Sequence, residues 1–419
     1  MNRIYLIVIL FFLLGIVARG QQYSKQPEKH LPNNYAKTVE SLFGFFDEHA
    51  FDSTSMVYYS EVDNNGSVVS DKIYTVALSR MIYGLSYTSK FYPDNLIKAK
   101  KSIEFQLNNL IGTDSIGAYS ISYVDKGKAS EAIQLDIWQQ AYGLCGLTEF
   151  YRNNPDDDLL STIHKLHDAF VTRFYDIRSG GFYGAYDLKV GQVSGSKSLQ
   201  SLVYPITAYM ANLWGVDSLH REKYEPMLAE CLEILHKAGW NKQTNWVNLK
   251  FDDLWNVLES ADDDNSNVPV FPGHNFQLAS LFLRTKSWDF LSNDRKEEYA
   301  NMAHQILDAT FQKSIFEKGK VRNGIYSQVD SETDEVLDTR KTWWQHCEAV
   351  LALSLCEDNY QEEKKQLEEF FFSSFPDFEN GGEYFYLDKN DKPITNELKG
   401  SIGKSAYHTI EMIRFLMQE

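Results

Sequence analysis

The sequence predicts an all-α chain, a toroid of six helix pairs or (α/α)6 barrel, with short β-hairpins between the pairs. Three observations predict it. Twelve stretches carry a helical pattern, bounded near 35–50, 71–91, 94–111, 134–153, 156–174, 197–214, 218–238, 274–290, 293–313, 341–357, 359–374 and 403–418. Between successive pairs lie short aromatic segments that end in Asp and a turn, such as Gly180-Gly181-Phe182 to Asp187 and Gly381-Gly382-Glu383 to Asp388. These segments recur at roughly 60 to 70 residues, the sign of an internal repeat. Closing six such units into a ring places one helix of each pair inside, lining a funnel, and gathers the hairpins at one rim.

Taken in order, the chain opens on Arg3 and an apolar run from Ile4 to Val17, followed by Ala18, Arg19 and Gly20. That is the layout of a cleaved signal peptide over residues 1–20, and the run is short of the roughly 20 residues of a membrane span. It predicts a periplasmic or secreted protein, with no membrane association after cleavage. Residues 21–34, with Pro27 and Pro32, read as an extended lead-in. From residue 35 to 419 no linker interrupts the series, which predicts a single catalytic domain. The second helix carries Arg80 amid apolar neighbours, and a buried Arg must be paired or must hold a ligand oxygen. Asp136 reads as part of the inner helix 134–153. The acidic run Asp262-Asp263-Asp264 reads as a solvated loop, with a calcium site as its sharper alternative.

The later helices hold the chemistry. Pro272-Gly273 breaks the chain and starts a helix, so His274 falls in a first turn, where the helix dipole disfavours the imidazolium. His408 stands in the same position in the last helix. Two imidazoles facing one substrate suit removal and return of a proton beside a carbonyl, although a capping or core role is the commoner use of either His. In 341–353, Trp343, Cys347, Val350 and Leu351 form a core stripe, and Lys341, Trp344, Gln345 and Glu348 an adjacent one. An aromatic wall with a carboxylate and an ammonium beside it suits a sugar ring. The plainer alternative is a packed helix whose Glu348 is satisfied by Lys341 or by a backbone amide.

Composition narrows the partners. A formal charge of −17 repels nucleic acid and anionic membrane surfaces. Aromatic residues make up 14% of the chain, which serves sugar stacking and a large helical core alike. The four Cys, at 145, 231, 347 and 356, sit in apolar helical patterns without a C-x-x-C pair. They read as buried thiols, or at most one bridge, and not as metal ligands.

Lys341-x-Trp343-Trp344-x-x-x-Glu348-Ala349, Gly273-His274 and Lys404-x-x-Tyr407-His408 together resemble the N-acylglucosamine 2-epimerase and cellobiose 2-epimerase family, in order and in spacing. Ser79-Arg80-x-x-Tyr83-x-x-Ser86, the run Leu135 to Tyr142 and the two Gly-Gly hairpins are similar to further motifs of that family, over nearly all of 40–418. The resemblance implies a carbohydrate 2-epimerase or aldose–ketose isomerase that needs no cofactor or metal. It would act at the reducing end of a mono- or oligosaccharide through an enediolate. It implies His274 and His408 as the acid/base pair, Arg80 on the carbonyl oxygen, Trp344 stacked on the sugar and Glu348 orienting hydroxyls or aiding ring opening, with Lys341 alongside. The sequence departs from the family at four places. Tyr204 stands where a pocket His is expected and Thr207 where a Glu is expected, with Pro205 between them. Gln277 replaces a Glu, and Ile410-Glu411 replaces Pro-Arg. Two alternatives stay open on the same toroid: a glycoside hydrolase or lyase built on Asp136 and Glu348, whose carboxylates would lie about 5 to 9 Å apart, and a non-catalytic sugar-binding relative.

Overall fold

The computed structural model describes residues 30–258, 268–357 and 359–418. The leader and the acidic run at 262–264 lie outside them. The described chain is mostly helical with small sheets. Its helices are α1 (Asn33–His49), α2 (Thr75–Thr88), α3 (Asp94–Asn109), α4 (Ile137–Asn153), α5 (Asp157–Phe174), α6 (Leu199–Pro205), α7 (Ala211–Val216), α8 (Glu225–Ala238), α9 (Pro272–Arg284), α10 (Asn293–Phe311), α11 (Trp343–Ser354), α12 (Gln361–Ser374) and α13 (Tyr407–Leu416). A π-helical turn, Ile206–Met210, joins α6 to α7 in one rod. Pro205 removes one N–H of the ladder there, and the wider turn takes up the mismatch.

The helices fall into two kinds that alternate along the chain. Every residue of α2 is buried, as are nearly all of α9, α11 and the first two turns of α13. By contrast α1, α3, α5, α8, α10 and α12 bury one stripe and leave charged residues outside. Helices apolar all round belong inside; amphipathic ones cover them. Among the buried set, α2 packs on α4, α4 on α6, α9 on α11, α11 on α13, and α13 back on α2. The last contact joins residues more than three hundred apart. Tyr83 donates to Glu411 and Ser405 to the Ala77 carbonyl (3.0 Å), and a Cβ on Gly84 would lie 2.5 Å from that of Ala406.

The hairpins are more connected than the sequence suggests. A two- or three-residue strand leads into each of five buried helices and pairs, antiparallel, with the hairpin of the next unit. Lys72–Tyr74 pairs with Tyr123–Asp125, Gln134–Asp136 with Ala185–Asp187, and Lys197–Ser198 with Lys250–Phe251. Pro269–Val270 pairs with Gln328–Asp330 and Lys341–Thr342 with Tyr386–Leu387. A single bridge from Val62 to Gly400 joins the first unit to the last. These pairings satisfy backbone groups that a bare edge would leave open. They also correct the helix starts: residues 72–74, 134–136, 197–198 and 341–342, expected as first turns, are strand.

Two units share a buried staple. The Lys197 ammonium meets Asp176 at 2.7 Å and the Gly180 carbonyl at 3.2 Å; Lys399 meets Asp377 at 2.7 Å and the Gly381 carbonyl at 2.6 Å. Each carbonyl belongs to a Gly-Gly pair with φ between +66° and +77°, backbone that only glycine adopts without strain. All four Cys are buried free thiols.

Candidate active site

The N-terminal ends of the buried helices bring most of the sequence-selected side chains together. Pro272 sits at the first helical position of α9 and fixes its start, which puts His274 in the first turn. His408 is the second residue of α13 and Trp344 the second of α11. The Trp344 indole lies between the two imidazoles, 5.4 Å from His274 and 6.2 Å from His408 between ring centres. Gly273 makes this possible: a Cβ there would lie 2.7 Å from the indole.

Glu348, one turn along α11, accepts from His408 Nδ1 at 3.0 Å and from Gln277 Nε2 at 3.4 Å, on the same Oε1. An ionised carboxylate only accepts, so Nδ1 of His408 carries the proton and Nε2 keeps its lone pair. Burial lowers the pKa of His408, and the bond to Glu348 pulls it back up. Burial holds His274 down at about 4, with Glu348 opposing more weakly from a distance. His274 Nδ1 is buried and has no protein partner. The two imidazoles therefore differ: only His408 has a carboxylate bonded to it that supports an imidazolium.

Arg80 is 4% exposed. It donates to the Gly403 carbonyl and lies in an aromatic cage, 4.0 Å from the Tyr142 ring, 5.4 Å from Tyr407 and 5.7 Å from Trp138. Its Nε is buried with no protein partner. Tyr204 closes this side, 5.8 Å from Tyr142, and burial raises its phenol. The cage was missed at the sequence level, although Tyr407 adjoins His408 and Trp138 and Tyr142 stand four apart on one helix face.

Three selected residues do other work. Lys341 is in the strand before α11, not on its stripe, and its fully buried ammonium is held by Glu317 at 3.0 Å and by Asp391. Asp136 likewise precedes its helix: it caps α4, accepting from the Gln139 N–H at 3.2 Å. Solvent reaches Asp136, yet the crowding of nearby protein raises its pKa. Thr207 turns its hydroxyl onto the Val203 carbonyl, 2.9 Å, so it does not replace the expected Glu. Among the described residues, one group has the composition of a metal site: His164, Asp217 and His220 on the outer wall. There Asp217 is already bonded by both imidazoles and by the Tyr224 hydroxyl, at 2.6 to 2.8 Å.

The N-acylglucosamine 2-epimerase family model matches residues 57–412. No curated protein sequence matches the chain. Solved structures share the fold. A sugar epimerase from a ruminal bacterium is 18% identical, with a TM-score of 0.77 over 92% of this chain and 99% of that one. Cellobiose 2-epimerase from Bacillus thermoamylovorans is 16% identical, with a TM-score of 0.78 over 92% and 98%. A D-mannose isomerase is 15% identical, with a TM-score of 0.78 over 93% and 100%. The family match spans most of the chain, through the Arg80 cage, both imidazoles and the Trp344 wall: the chain belongs to the N-acylglucosamine 2-epimerase family and is an enzyme of the sugar epimerase and isomerase class.

Proposed function

We propose that the protein is an (α/α)6 barrel that moves a proton at the reducing end of a mono- or oligosaccharide, as a 2-epimerase or an aldose–ketose isomerase. The alternation of buried and covering helices, with α13 packed back on α2, supports the barrel. The observation that carries the chemistry is the unlike pair of imidazoles across Trp344: one bonded to Glu348, the other buried without a partner.

In this reading the open-chain aldose lies against Trp344 with its carbonyl oxygen on Arg80. An imidazole lone pair takes the C2 proton. The C2–H electrons form the C1–C2 double bond and the carbonyl electrons move to oxygen, where the guanidinium stabilises the enediolate. His408 is the favoured carrier, because Glu348 steadies its cation. Delivery of a proton to the opposite face of C2 by His274, which takes it from solvent while His408 releases its own to solvent, gives the epimer. Return to C1 gives the ketose. The leader at residues 1–20 supports export, and an exported enzyme of this kind would meet oligosaccharides. The hydrolase alternative loses support, since Asp136 is committed to capping α4.

Proton NMR of the protein with mannose, N-acetylglucosamine, cellobiose and mannobiose in heavy water tests the proposal. Deuterium entering C2, and lost in His408→Ala, is the expected result. Cleavage of a disaccharide without C2 exchange would overturn it.

A further inference from the structure

The opposite ends of the buried helices line a cavity of about 620 Å³ between the α6–α7 rod and α9. The helices run from the His274 and His408 end toward this one, so Arg284 lies ten positions after His274 along α9. The cavity is lined by Arg152, Arg284 and Arg414, each at or near the end of a helix, where a cation suits the dipole.

Two carboxylates serve these three guanidiniums. Glu411 meets Arg284 at 3.1 Å and Arg414 at 3.4 Å; Glu149, behind the wall, meets Arg152 at 3.3 Å and Arg414 at 3.7 Å. Glu411 stands where the family resemblance expects Arg, and its charge is taken up by these neighbours. Asn212 and Tyr83 fill the remaining positions: Asn212 bridges Arg152 and Glu149, and Arg414 donates to the Tyr83 hydroxyl at 2.9 Å. Lys286, at the rim, is paired with Glu357. One positive charge is left over, and the Nε of Arg284 and of Arg414 is buried without a hydrogen-bond partner, while that of Arg152 faces Glu149. Burial lowers Arg152 to about 10, and the neighbouring Arg414 and Arg284 add to the effect. An excess buried cation is costly unless it is paired.

We propose that this cavity binds a small oxyanion, a carboxylate or a phosphate, held by Arg284 and Arg414. Guanidinium forks match the oxygens of either group, and the volume is that of a ligand site and not of a packing defect. The site is separate from the imidazole pair and does not depend on what sugar chemistry occurs there.

Isothermal titration calorimetry of the purified chain with inorganic phosphate, at constant ionic strength, tests it, with acetate and chloride as parallel arms. The expected result is one saturable site for phosphate or acetate and none for chloride. Arg284→Gln should bind about tenfold more weakly or worse, the loss of one charged hydrogen-bonding partner. Glu411→Gln, which raises the net charge, should bind more tightly. Ser287→Asp adds a carboxylate at the exposed rim with little demand on folding and should weaken binding if Arg284→Gln fails to fold. Absence of saturable heat in the unmodified protein overturns the proposal, as does phosphate affinity that is equal in all variants.

Discussion

At the scale of single residues, the site is a set of polar atoms with unequal company. Arg80 is held by one carbonyl and three aromatic rings, and its Nε has no protein partner. Arg80→Met keeps much of the packing and removes the charge. It should lower kcat by about 10² to 10³ with a much smaller change in thermal stability, the usual loss of one oxyanion donor; steady-state kinetics beside a melting curve would separate the two. The pH dependence follows from burial. Burial holds both imidazoles below their ordinary value, His274 at about 4, so kcat/KM should hold through pH 6.5 and fall only at lower pH. A fall near 6.5 would mean that the imidazoles are more hydrated than their burial implies. His167 and His346, 1% and 0% exposed, are likewise lowered, to about 4 and about 3. The unfolded chain takes up protons near 6.5 that these side chains refuse when folded. Their contribution is therefore full above pH 6.5 and is lost as the pH falls toward 4, on the order of 2 kcal/mol each between pH 7 and 5. Urea titrations at the two pH values would measure it.

At the scale of elements, the starts of the buried helices set the positions of the imidazoles. Gly273→Ala would push a methyl into the Trp344 ring and the Gln345 side chain, at 2.7 and 2.6 Å. It should cost about 1 to 3 kcal/mol of stability, as overpacking does, and should raise KM by moving the stacking wall; a sugar titration followed by Trp fluorescence reports the second effect. This scale also shows where sequence reasoning stopped. His274 and His408 were legible because Pro-Gly before α9 and the motif before α13 mark first turns. Arg80 was legible because an Arg in an apolar run has few destinations. Lys341 was misread because its strand is two residues long and its partner, Leu387, lies 46 positions away; nothing local separates such a strand from a first helical turn. The Tyr142–Tyr407–Trp138 cage was hidden for a related reason: it assembles from two helices that meet only when α13 returns to α2.

At the scale of the whole molecule, the core carries the chain's thiols. All four Cys are buried, and burial raises each of them, Cys356 to about 12. A thiol reagent should find none in the folded protein and four after denaturation; fewer than four would reveal a bridge. The six-unit series was legible because each hairpin repeats an aromatic-to-Asp pattern. The pairing of each hairpin with the strand of the preceding unit was not, because those contacts span about fifty residues.

The closing contact of α13 on α2 governs the order in which the molecule becomes competent. Arg80 is made early in synthesis and His408 late, and the Tyr83–Glu411 bond joins residues 328 apart. A nascent chain that lacks residues 407–416 holds two of the three rings around Arg80 and one of the two imidazoles. Every earlier unit folds against an unsealed edge, and closing so long a loop has an entropic cost that only the last helix offsets. A chain stopped before residue 407 should therefore lack the sugar chemistry proposed for the imidazole pair.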